Sequence, residues 1–130
     1  MLQIKHTALI KSGKTLLAGY WVGADSAETI AVTNPATGKV IGHVPKMAGA
    51  ETERAIVASA AAQKHWKTLT AAARAAVLKR WFDLIKLHAE DLAQILTAEQ
   101  GKPLIEARGE VNYGASFIEW FAEEAKRVYG

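Results

Sequence analysis

The chain has 130 residues, 16 basic and 13 acidic side chains, 50% hydrophobic residues and no cysteine. That length suits one domain or a piece of a larger one, and the composition excludes a disordered chain. Without cysteine there can be no disulfide, thiolate metal site or thiol nucleophile within these residues, and no apolar run approaches the roughly 18 residues that span a bilayer.

The N-terminus mixes lysines with short apolar runs and lacks a continuous signal-peptide core, so a cytoplasmic location is expected. The net charge of +3 comes wholly from residues 1–50, where Lys5, Lys11, Lys14, Lys39 and Lys46 face only Asp25 and Glu28. Beyond residue 50, basic and acidic side chains are equal in number and interleaved. Such a pattern argues against a nucleic-acid partner, which calls for a basic stripe along one element.

Residues 1–14 carry no pattern of their own and form an N-terminal extension. From residue 15 to 47 the chain leans towards strand, with Leu16 to Val22, Thr29 to Thr33 and Lys39 to Val44 rich in Tyr, Trp, Val, Ile and Thr. Asn34-Pro35-Ala36-Thr37-Gly38 is a turn: Pro35 fixes φ and Gly38 supplies a positive one. A hairpin with arms ending at Thr33 and starting at Lys39 follows, with Tyr20-Trp21-Val22 pairing alongside it and Pro45 ending the last strand.

Residues 48–130 read as three helices. The first spans about Glu51 to Trp66, with Glu51 and Glu53 where the macrodipole favours anions and Ala55, Ala58, Ala62 and Trp66 on one face. Thr70 caps the second, whose stripe of Val77, Leu78, Trp81, Phe82, Ile85, Leu92, Ile95 and Leu96 runs to about Glu99. Gly101 ends it, and Pro103 occupies the first position of the third. That third helix places Leu104, Ala107, Val111, Ala115, Ile118, Phe121 or Ala122, Ala125 and Val128 on one face and runs to Val128-Tyr129-Gly130. Glu123 and Arg127 are spaced for an i,i+4 pair.

No catalytic constellation emerges from residue chemistry. His6, His43, His65 and His88 have no metal-ligand spacing among themselves or with nearby acids. Gly109 to Ser116 has the glycine spacing of a P-loop, but Ala115 stands at the lysine position and the segment lies within a predicted helix. Packing of that helix on a neighbour is the better account of Gly109 and Gly114. Glu119, Glu123 and Glu124 read as a solvated face. Trp81, Phe82, Phe117, Trp120 and Phe121 read as core or subunit contact.

Two longer stretches carry a resemblance. Thr97-Ala98-Glu99-Gln100-Gly101-Lys102-Pro103-Leu104-Ile105-Glu106-Ala107-Arg108-Gly109-Glu110 and Ala115-Ser116-Phe117-Ile118-Glu119-Trp120-Phe121-Ala122-Glu123-Glu124 resemble the aldehyde dehydrogenase superfamily, and within it the succinate-semialdehyde dehydrogenases. Thr33 to Gly38 and Val44-Pro45-Lys46-Met47 are similar to the N-terminal part of the same enzymes. The resemblance covers about residues 16–130.

It implies an α/β aldehyde dehydrogenase fold, of which this chain is an N-terminal fragment: mainly α, three helices preceded by a β-hairpin region. The complete enzyme would oxidise succinate or glutarate semialdehyde with NAD or NADP. A cysteine thiolate would attack the aldehyde, a glutamate would activate water, and an asparagine and a backbone amide would hold the oxyanion. No position here matches those groups, so the fragment is expected to be inactive and to bind no dinucleotide. The resemblance also implies part of a monovalent-cation site, from backbone oxygens of Val32 and Thr33 and the carboxylate of Glu99. The alternative is a free-standing helical module that binds a partner or itself through exposed apolar helix faces.

Overall fold

The computed structural model describes residues 4–128. A 3-10 turn (Thr7–Leu9) leads into four strands and four helices: β1 (Thr15–Leu17), β2 (Tyr20–Val22), β3 (Thr29–Thr33), β4 (Val40–Pro45), α1 (Gly49–Trp66), α2 (Ala71–Leu87), α3 (Ala89–Gln100) and α4 (Leu104–Glu124). The β-then-α division near residue 48 is as the composition indicates.

The strands form two separate antiparallel hairpins. The expected single strand from Leu16 to Val22 is instead β1 folded back on β2, with Thr15 opposite Val22 and Leu17 opposite Tyr20. It therefore does not pair alongside the second hairpin. Ala18 (φ 51°) and Gly19 (φ 88°) make the two-residue turn, both in the left-handed region. Ala-Gly lacks the usual Asn or Asp signal, so the run reads as continuous strand in the sequence.

The Asn34 turn joins β3 to β4 as expected, although β4 starts one residue late, at Val40. The Asn34 side-chain Oδ1 accepts from Ala36 N (2.9 Å) and Thr37 N (3.1 Å), and its carbonyl accepts from Gly38 N (2.8 Å). Gly38 takes φ 67°. Thr33 pairs with Val40 while Val32 pairs with Gly42, so Ile41 is a bulge.

Helix α1 has alanine at its N-cap, where no side chain can accept. Glu51 supplies what is missing. Its Oε2 accepts from Ala48 N (3.0 Å) and its Oε1 from Asp25 N (2.9 Å), which ties the helix start to the loop after β2. Arg54 adds a bidentate pair with Asp25 at 2.8 and 2.7 Å.

Thr70 caps α2, accepting from Ala73 N at 3.2 Å. The long second helix is in fact two, because His88 adopts φ −103°, ψ 14° and ends α2 while opening α3. Periodicity could not reveal this, since Ile85, Leu92 and Ile95 keep their helical phase across the break. The acids Glu90 and Asp91 in the first turn of α3 are where a new helix start favours them. Gly101 ends α3 at φ 79° as expected, and Pro103 is the N-cap of α4, one position earlier than its predicted place.

Helix α4 packs on both α2 and α3, and its buried residues are small: Ala107, Ala115 and Ala122. With Ala75 of α2 and Ala93 of α3 they make up the buried apolar set among the described residues. Ala122, not Phe121, holds the inner position; Phe121 is 59% exposed. Of the aromatics read as core or subunit contact, Trp81, Phe117 and Trp120 are also exposed and only Phe82 is half-buried, so the core of this chain does not hold them. Among the described residues, nothing beyond their own helix lies within 4 Å of a Cβ placed at Gly109 or Gly114, so packing among those residues does not account for them.

Glu119 is not merely solvated. It accepts from Lys79 Nζ at 2.9 Å and links α4 to α2, while Glu90 and Arg108 link α3 to α4. Because α4 ends at Glu124, the expected Glu123–Arg127 pair is replaced by Glu123–Lys126 (3.2 Å) and Glu124–Arg127 (3.0 Å). Tyr129 and Gly130, into which the last helix is expected to run, lie outside the described residues.

Candidate functional site

The β3–β4 turn and the end of α3 meet closely. A Cβ at Gly101 would lie 3.0 Å from Pro35 Cγ, an approach that suits glycine alone at this positive φ. That contact brings Glu99, the penultimate residue of α3, towards β3. Val32 and Glu99 line one cleft of about 250 Å³, together with Ile95, Ile41, His43 and Trp21.

Thr33 does not line the cleft, as expected for the next residue of a pleated strand. Two of the three residues assigned to the cation site therefore share one concavity. Glu99 is exposed and sits in a last helical turn that holds no basic residue, where the dipole disfavours its charge, while Lys11 and Lys14 line the same cleft. Backbone oxygens and a carboxylate suit a hard cation.

No phosphate cradle is formed by Gly109 to Ser116, because the segment is continuous α4 and its backbone N–H groups point along the helix. That segment therefore cannot hold a phosphate as a P-loop does.

A second cluster was not visible in the sequence. Asp91, on the first turn of α3, is 3% exposed. Its Oδ1 accepts from Lys5 N (2.9 Å), and its Oδ2 from His6 N (2.9 Å) and His6 Nδ1 (2.8 Å). These bonds, the Lys5 N–H foremost, hold its carboxyl below the ordinary carboxylate range against the opposing effect of burial. The His88 ring meets the His6 ring edge-on, with centroids 4.4 Å apart.

The nitrogen and oxygen ligand atoms of His6, His88 and Asp91 all fall within 4.8 Å of one another. The histidines show no metal-ligand spacing in the sequence, yet the fold brings His6 and His88 beside Asp91. His6 and Asp91 are 85 residues apart in sequence, and the only local signal is the i,i+3 spacing of His88 and Asp91. Glu51 is a comparable case: backbone N–H groups of Asp25 and Ala48 lower its carboxyl, although it is nearly fully buried.

A sequence model described as the Aldehyde dehydrogenase family matches residues 21–130. The chain is 56% identical over 129 residues to a glutarate-semialdehyde dehydrogenase of Pseudomonas putida, covering 99% of this chain and 27% of that protein. It is 54% identical over 117 residues to the succinate-semialdehyde dehydrogenase [NADP(+)] of Escherichia coli, covering 90% and 24%. A crystal structure of succinate-semialdehyde dehydrogenase from Burkholderia pseudomallei superposes with a TM-score of 0.94 at 55% identity, covering 98% of this chain and 26% of that one. The chain thus spans about a quarter of the length of these relatives.

Proposed function

The chain belongs to the aldehyde dehydrogenase family, and from that premise we propose that it is the N-terminal part of an enzyme that oxidises succinate or glutarate semialdehyde to the dicarboxylic acid with NAD or NADP. The observation that carries this reading is identity above half across nearly the whole chain to relatives that bear those names. The enzyme would work in the cytoplasm. Its nucleophile would come from outside these residues, which contain no cysteine.

On this reading the chain's own task is scaffolding. Its helices and hairpins would form an outer layer, and Val32 and Glu99 of the cleft between β3 and α3, with Thr33 next in the sequence, would contribute to a monovalent-cation site completed by other parts of the enzyme. Among the described residues no helix is long and apolar enough to cross a membrane, and the proposed partner is the aldehyde, not a membrane or nucleic acid.

The exposed aromatic side chains favour a second element of the proposal. Trp81, Trp120 and Phe121 leave apolar area on α2 and α4 that the remaining three quarters of the enzyme would cover. With that area open, the 130-residue chain self-associates, which light scattering after size exclusion would detect.

The test is spectrophotometric. The purified chain, given succinate semialdehyde and NAD or NADP, produces no reduced cofactor. Turnover by these 130 residues alone would contradict the assignment of catalysis to other parts of the enzyme.

A further inference from the structure

The cluster at the α2–α3 junction is built from the residue types that hold a borderline transition metal. His88 occupies the break between the helices, and its buried Nδ1 has no hydrogen-bond partner among the described residues. An unpartnered buried ring nitrogen costs free energy unless a proton donor, an acceptor or a metal meets it. His6 is exposed on the N-terminal segment, so one side of the cluster is open to solvent, while Asp91 is buried beneath it.

We propose that His6, His88 and Asp91 bind a divalent transition-metal ion of the zinc class. Two imidazoles and one carboxylate favour such an ion over magnesium or calcium, which take all-oxygen shells. Zinc–nitrogen and zinc–oxygen bonds of about 2.0–2.2 Å place tetrahedral ligands roughly 3.4 Å apart. The His6 Nδ1 and Asp91 Oδ2 atoms already stand 2.8 Å apart, and the widest separation in the cluster is within 4.8 Å. Small shifts of the ligand side chains, the exposed His6 ring among them, would close the difference. Each neutral imidazole gives one nitrogen lone pair, Asp91 gives one oxygen, and water takes the fourth position.

The backbone N–H groups of Lys5 and His6 orient the Asp91 carboxylate, as outer hydrogen bonds orient metal ligands elsewhere. Bound metal would pin the N-terminal segment to the helical layer. This site is distinct from the cleft at Glu99, with which it shares no residue, and it does not depend on the enzymatic assignment.

Titration of the metal-stripped protein with zinc by calorimetry, and with cobalt by visible absorption, tests the proposal. One equivalent of each binds, with cobalt giving ligand-field bands. His6→Gln and His88→Gln each weaken binding by at least about tenfold, whereas His65→Gln leaves it unchanged. His6→Gln changes an exposed side chain, so it stays informative should His88→Gln unfold. Failure of both ions to bind, or binding by His6→Gln equal to that of the unaltered protein, overturns the assignment.

Discussion

The two parts of this chain are held together by different means. In residues 4–48 and the start of α1, buried carboxylates gather backbone N–H groups: Asp91 takes those of Lys5 and His6, and Glu51 those of Asp25 and Ala48. In α2–α4 the joint is a set of alanines that let three helices approach closely. The first kind of joint is sensitive to protonation and tolerant of volume; the second is the reverse. Besides the Asp91 bonds to Lys5 and His6, the close approach of Gly101 to Pro35 couples them.

The comparison can be broken most forcefully from the helical side. Ala115 is 1% exposed on the inner face of α4, and Ala115→Leu must force the helices apart. Denaturant unfolding should register a loss of about 1–3 kcal/mol. An unchanged midpoint would show that α2 and α3 do not close on α4 as described.

Next in size is the coupling itself. Gly101→Ala places a side chain at φ 79° against Pro35, with an expected cost of about 1–2 kcal/mol. Amide exchange should quicken at both the end of α3 and the β3–β4 turn. Exchange confined to α3 would mean the two parts are not joined there.

The smallest effect is one of pH. Asp91 and Glu51 are lowered in the folded chain, so their stabilisation is present above the unfolded carboxylate range. It is lost as pH falls through the folded values, below about pH 4. Hydrogen exchange at acid pH should therefore loosen the N-terminal segment and the start of α1 before α2–α4. Glu51→Gln should remove the acid-dependent part at α1, leaving that helix start equally loose at neutral pH.

How much of this was legible in the sequence follows from the same contrast. Signals confined to a few neighbouring residues came through: the Asn34 turn, the Thr70 cap and the Gly101 stop each depend on local backbone chemistry. Strong periodicity found the helices but ran through the break at His88, because a change of ψ at one residue leaves the apolar phase intact. The hairpin at Ala18-Gly19 was hidden by an alanine where Asn or Asp would have marked it. Of the cleft, Val32, Thr33 and Glu99 came from resemblance, not from any pattern in their own chemistry. The His6–His88–Asp91 cluster was invisible because its members meet only after the chain has folded back across 85 residues.

The central claim is that these residues do the work of an aldehyde dehydrogenase N-terminus. The direct measurement replaces the corresponding quarter of the Escherichia coli succinate-semialdehyde dehydrogenase with this chain and follows NADP reduction by succinate semialdehyde. The account predicts an active chimera whose kcat stays within about an order of magnitude of the parent, since on the proposed reading the groups that touch the reacting atoms lie outside the exchanged quarter. A folded chimera without turnover would contradict it.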